Sequence, residues 1–299
     1  MCGIVGLFLK NPEFEPDLGR YLGAMLIEMG ERGPDSTGFA IYREPAPKGW
    51  IKITLQHPDE LYPWDELTRA LAKALGSEAH GTHRASHFVL HVSASLESVG
   101  PWLKQHHPRA RIVGVGETIE IFKEMGRPAD VIRRFRIEGL EGSHAVGHTR
   151  MATESAVTTQ HSHPFSTGLD LCLVHNGSLS NHNRLRNWLA RRGLEFQTDN
   201  DTEVAAGYFT YRLSQGASLE EALEAGLADL DGFYTFAVGT RRGFAVLRDS
   251  FACKPAVLAE TDDWVAMASE YRAIAPLPGA EKAVIWEPAP ATVYSWNRH

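Results

Sequence analysis

The apolar positions of this chain change their period several times. Residues 3–9 (GIVGLFL) make an unbroken apolar run of strand length, and residues 18–30 carry Leu18, Leu22, Met25, Leu26 and Met29 at helical spacing. The turn sequence RGPDSTG follows, then a strand predicted at 38–42 (GFAIY). From about 44 to 140 the periodicity is uneven. HFVLHVSA at 87–94 reads as a strand there, whereas GETIEIFKEMG at 116–126 fits strand or helix equally. Strand patterns resume at 144–150 and 169–175. Helices are predicted at 181–192 with Asn181 as N-cap, at 201–214, and near 218–230, where Ser218 and Glu221 have capping-box spacing. Short apolar segments separated by polar turns complete the chain, the pattern of an antiparallel sheet. Strands at both ends with helices between them predict α+β layers, not alternating βαβ units. The stretch from about 44 to 140 reads as an elaboration inserted into a single domain spanning 1–299.

Composition narrows the classes of partner. The net charge is −7 with no basic tract, which argues against nucleic acid or an anionic membrane surface. Cys2, Cys172 and Cys253 are too few and too scattered for a disulfide framework or a CxxC metal site, so a reducing compartment fits. Neither a secretory leader pattern nor an apolar run of about 18 residues is visible, and the expected location is the cytoplasm. His83, His87 and His91 recur every four residues and would align on a helix to hold a metal. HFVLHVSA prefers a strand, however, and no cysteine or carboxylate completes the set, so no metal is expected. GVGE at 114–117 lacks the third glycine of a dinucleotide loop, and no cofactor is implied.

The most suggestive chemistry lies in the first two residues. Removal of Met1 would leave Cys2 with a thiol and a free α-amine on one residue, and the amine can serve as general base for the thiol. Their ordinary pKa values, about 8.5 and about 7.7–8.0, already bring both groups near neutral pH. A cysteine at position 2 is weak evidence by itself, and other strings have to support it.

MCGIVG is followed in order by RGPDSTG (32–38), GHTRMAT (147–153), HNGSLSN (175–181) and DNDTEV (199–204), then RDSFACKPAVLAE (248–260) and ASEYRAI (268–274). Together these resemble the class II glutamine amidotransferases, a group of N-terminal-nucleophile hydrolases, over residues 1–43 and 141–275. The resemblance implies a four-layer αββα sandwich, two antiparallel sheets facing each other between helical layers, with Cys2 at the end of the first strand. It implies that Asn176 and Gly177 form an oxyanion hole, that Arg150 with Thr153 nearby receives the α-carboxylate of glutamine, and that Asp201 receives the α-ammonium. Arg32 and Gly33 match residues that orient the nucleophile, His175 stands beside the oxyanion pair, and His163-Pro164 fits an HPF element. Two positions depart from the pattern: Ala252 stands where a glycine is common, and Glu154 where some relatives have histidine or glycine.

The implied reaction converts glutamine and water to glutamate and ammonia through a γ-glutamyl thioester. The ammonia would pass to a separate synthase-type partner, because no synthase domain fits after the resembling region. The wording around HTRMATESAVTTQHSHPFS and LVHNGSLSNHN is similar to the stand-alone amidotransferase subunit of glutamate-synthase-like and N-methylglutamate synthase complexes, whose partners include an FMN-binding piece. Self-association stays open. So do two other functions: an N-terminal-cysteine hydrolase of some other amide, and a non-catalytic glutamine-binding or scaffold subunit.

Overall fold

A computed structural model describes residues 2–151 and 157–298 of the chain. The first half contains β1 (Gly3–Leu9), α1 (Leu18–Glu28), β2 (Ser36–Tyr42), β3 (Ile51–Gln56), α2 (Trp64–Leu75), β4 (Ala79–Arg84), β5 (His87–Val92), α3 (Leu96–His106), β6 (Arg111–Gly116), β7 (Ile119–Met125), α4 (Pro128–Phe135) and β8 (His144–Arg150). The second half contains β9 (Phe165–Gly168), β10 (Leu171–Leu179), α5 (His182–Ala190), α6 (Asp201–Ser214), α7 (Leu219–Asp229), β11 (Gly232–Thr240), β12 (Gly243–Arg248), β13 (Val257–Glu260), β14 (Trp264–Ala268), β15 (Val284–Trp286) and β16 (Thr292–Asn297).

Two antiparallel sheets face each other. One has seven strands in the order β15-β13-β14-β1-β8-β2-β7, the other five in the order β16-β12-β11-β10-β9. Between them lies a core in which Ile4, Phe8, Tyr42, Ile121 and Val146 of the first sheet meet Val174, Ala237, Phe244 and Val246 of the second. The outer face of the first sheet buries α1 and α4 through Leu22, Met25, Leu26, Ile132 and Phe135. The outer face of the second buries α5, α6 and α7 through Leu189, Val204, Phe209 and Leu223. The result is the four-layer αββα sandwich. Because β1 is buried on both faces, its sequence is a continuous apolar run rather than an alternating one.

The stretch 44–140 divides in two. Residues 51–116 build their own four-stranded sheet, β4-β5-β3-β6, covered by α2 and α3 around Ile53, Leu55, Trp64, Leu71, Phe88 and Leu103. Beyond it, β7 pairs with β2 at the edge of the seven-stranded sheet, and α4 packs beside α1. The ambiguous segment 116–126 is thus a strand with both faces covered. Ile119 and Ile121 enter the core between the sheets while Phe122 enters the helical side, a period of two.

Local signals behave unevenly. The capping box of α7 is complete, with Glu221 N–H donating to Ser218 Oγ at 3.1 Å and Ser218 N–H to Glu221 Oε2 at 2.8 Å. Asn181 occupies the N-cap position of α5 but makes no capping bond. Its side chain instead donates to Asp229 O at 2.8 Å and accepts from Asp231 N–H at 3.2 Å, tying α5 to the start of β11. The long-range tie replaces the local cap. No helix among the described residues is long and apolar enough to cross a membrane.

Candidate active site

The pairing of β1 with β8 runs Ile4↔His148 and Gly3↔Thr149, so Cys2 stands one step on, opposite Arg150. The Cys2 thiol is half-buried and 3.9 Å from Met151 O. Its own carbonyl accepts Arg32 Nε–H at 3.1 Å, and the same guanidinium pairs with Glu270 at 2.5 Å. Glu270 follows Ser269, whose hydroxyl accepts Ile4 N–H at 3.0 Å. The RGP turn and the ASE segment therefore clamp the start of β1 from two sides. Gly33 makes the close approach possible, since a Cβ there would lie 2.3 Å from the Thr149 carbonyl carbon. Arg150 ends β8 and is buried.

The second group lies on β10. His148, two residues before Arg150 and so about 7 Å along the strand, meets His175 O through Nε2 at 3.2 Å. That contact brings the two sheets together one residue before Asn176. Asn176 is 4% exposed, and its Nδ2 has no hydrogen-bond partner among the described residues. An orphaned buried amide costs on the order of 1–3 kcal/mol unless something fills the place. Gly177 follows with φ +146, and a Cβ there would sit 2.0 Å from Phe233 O. Only glycine is admitted at that point.

Behind this pair lies a layer of imidazoles. His148 and His163 stack with centroids 4.0 Å apart, and His163 precedes Pro164 across a cis bond. His163 Nε2 is 3.4 Å from Thr202 Oγ1, which lies 3.0 Å from His175 Nδ1. Burial pushes His148 down to about 3 and His163 well below its ordinary value, with the neighbouring histidines adding to the effect, so both rings are neutral near pH 7. Asp201, at the start of α6, accepts Leu179 N–H at 2.9 Å and lies 3.7 Å from His175 Nδ1. Burial alone would raise its carboxyl. His175 and the Leu179 N–H outweigh that and hold it below the usual carboxylate range. An anion fixed at a helix start is also favoured by the helix dipole.

The arrangement is a partly exposed thiol beside a buried guanidinium, with an unfilled amide donor on the facing sheet and a persistent carboxylate next to it. Residues 148–276 match a family model described as a glutamine amidotransferase domain. The chain is 55% identical over 298 residues, 99% of its length and 98% of the relative's, to the glutamine amidotransferase-like protein GlxB of Rhizobium meliloti. It is 33% identical over 280 residues to a putative glutamine amidotransferase of Methanothermobacter thermautotrophicus, covering 90% and 92% of the two chains. The chain belongs to the class II glutamine amidotransferase family. Among solved structures, glutamine phosphoribosylpyrophosphate amidotransferase from B. subtilis shares its fold with a TM-score of 0.63 at 19% identity. That match covers 99% of this chain and 47% of the other.

Of the residues expected at the site, Cys2, Arg32, Gly33 and Arg150 come together at one sheet end, and His175, Asn176, Gly177 and Asp201 on the facing sheet and the start of α6. Thr153 and Glu154 lie outside the described residues, as does Met1. Sequence reasoning missed Glu270 and the roles of His148 and Thr202, although the ASE, GHTR and DTEV strings contain them. His83, His87 and His91 are split between β4 and β5. His87 is buried edge-on to Phe135 at 5.1 Å, and His91 stacks on His80 at 5.0 Å. Two clefts of about 560 and 570 Å³ border β6, β9 and the 158–161 segment, and neither is lined by Cys2, Arg150 or Asn176.

Proposed function

We propose that the chain is a single amidotransferase domain that hydrolyses glutamine through a γ-glutamyl thioester on Cys2 and passes the ammonia to a partner. After loss of Met1, the Cys2 α-amine takes the thiol proton and the sulfur attacks the Cδ carbon of glutamine. Asn176 Nδ2 and Gly177 N–H receive the oxyanion. The amine returns its proton to the departing nitrogen, ammonia leaves and the thioester forms. Water, deprotonated by the same amine, then attacks the thioester, releasing glutamate and the Cys2 thiol. Arg150 and Thr153 hold the substrate carboxylate, a guanidinium offering a bidentate pair, and Asp201 holds the ammonium. Arg32 and Gly33 orient Cys2, and His175 supports the oxyanion pair.

The observation that carries this reading is the Asn176 amide, buried and unfilled beside a glycine with positive φ. An unfilled donor at that point suits a charge that exists only during reaction. The receiving partner is a glutamate-synthase-like, FMN-binding subunit in the cytoplasm, on the strength of the resembling strings. Intact mass and a glutaminase assay test the reading. The expected results are loss of one methionine from the purified protein, glutamate production from glutamine, and its abolition in Cys2→Ala. Turnover that survives in Cys2→Ala would overturn the nucleophile.

A further inference from the structure

Lys123 is an ammonium-bearing residue in the interior that the proposed chemistry does not use. It lies on β7, the edge strand reached directly from the inserted sheet, and is 7% exposed. Its Nζ donates to Ser162 O at 2.8 Å, Pro164 O at 3.3 Å and Gln160 O at 3.4 Å, and lies 4.5 Å from the centre of the Phe165 ring. Three N–H groups meet three carbonyls, and those carbonyls bracket His163. No carboxylate lies within ion-pair distance of Lys123 among the described residues. Glu203, whose charge favours the ammonium form, is already engaged by Gln197 N–H, Thr198 N–H and the Thr198 hydroxyl at 2.7–2.8 Å. Burial, with Arg111 adding to it against Glu203, pushes the Lys123 amine down to about 7.

Burying an amine that is charged over much of its range is expensive, and a turn of backbone could be held by a neutral donor instead. What the amine holds explains the expense. His163 stacks on His148, which meets His175 O, and His163 also meets Thr202, which meets His175 Nδ1. Both lines end one residue before Asn176. The same turn is fastened from two further sides: Arg111 on β6 of the inserted sheet donates to the Gln160 side chain, and Glu124 on β7 accepts from Thr159 and, at 2.7 Å, from Ser86.

We propose that Lys123 is a positioning residue for glutamine hydrolysis, fixing the 160–164 turn so that the histidine layer keeps the Asn176 amide aimed at the developing oxyanion. This rests on the oxyanion role proposed for Asn176. Lys123 touches no reacting atom. Its effect belongs to the transition state, so it separates from substrate binding.

The test is steady-state glutaminase kinetics of Lys123→Met, with Lys52→Met as the comparison, in full-length protein. Lys52 is another buried lysine, paired with Glu120 at 3.3 Å in the inserted sheet's contact with β7. The expected result for Lys123→Met is kcat lowered about tenfold or more with KM for glutamine within about twofold, and an iodoacetamide labelling rate at Cys2 unchanged. Lys52→Met should lose thermal stability and keep its kcat. If Lys123→Met does not fold, Lys123→Gln, which keeps an NH₂ donor, should show the same split at smaller amplitude. A Lys123 variant with unchanged kcat, or one whose loss is matched by Lys52→Met, overturns the positioning role. Wild-type protein that fails to hydrolyse glutamine overturns the parent reading and this inference together, whereas active wild type with an indifferent Lys123 variant sinks the inference alone.

Discussion

Two sets of histidines in this chain follow opposite rules. His83, His87 and His91 are evenly spaced in sequence, yet one ring is buried against Phe135, another stacks on His80 and the third is exposed on β4. His148, His163 and His175 have no common spacing, yet three segments of the sandwich bring them into a single layer behind Asn176. Regular spacing creates a cluster only where the rise is short: four residues span about 6 Å along a helix but about 13 Å along a strand. Pairing of β8 with β1 and contact of β8 with β10 accomplish what spacing could not.

The sharpest way to break this contrast is at the end of the second set. Asn176→Ala should lower kcat for glutamine by about 10²–10³, the range for losing one oxyanion donor, with little change in KM. An unaltered kcat would leave the histidine layer with nothing to support. Thr202→Val removes the hydroxyl shared by His163 and His175 and should lower kcat by about tenfold. His91→Ala, in the first set, should leave kcat unchanged. Stopped-assay measurement of both variants at saturating glutamine decides whether the two sets differ in function as they do in geometry.

A further effect touches one member of each set and His144 besides. Burial pushes His87 and His148 down to about 3 and His144 to about 4, whereas the unfolded chain binds these protons near 6.5. The folded state therefore binds fewer protons than the unfolded state between those values. The stabilisation is complete above about pH 6.5 and is lost as pH falls toward 4 and 3, each ring contributing about 1.4 kcal/mol per pH unit to the slope. Denaturant unfolding from pH 7 to 4.5 should show this steepening, and His87→Gln should flatten it without affecting kcat. A pH-independent midpoint in wild type would contradict the burial argument.

Much of the fold was legible because its signals are local. The double-faced burial of β1, the Ser218–Glu221 box and each short apolar segment of the last part of the chain fit inside about a dozen residues. The 116–126 segment was not, because its apolar residues face two different layers and only pairing with β2 assigns them. Asn181 misled for a similar reason: Asp229 and Asp231, distant in sequence, take its side chain from the cap. In the site, Cys2, Arg150, Asn176, Gly177 and Asp201 stand in short recognisable strings. Glu270 reaches Arg32 across 238 positions, and Lys123 reaches the 160–164 turn from the edge strand beyond the inserted sheet. Neither partnership leaves a mark within a single window of sequence.

The central claim is that the Cys2 sulfur carries the glutamyl group. Acid quenching of the protein during turnover of isotopically labelled glutamine, followed by peptide mass analysis, tests it directly. One labelled glutamyl group is expected on the N-terminal peptide, removable by hydroxylamine and absent in Cys2→Ala. A glutamyl group found instead on the peptide of exposed Cys253, or turnover with Cys2 never modified, would contradict it.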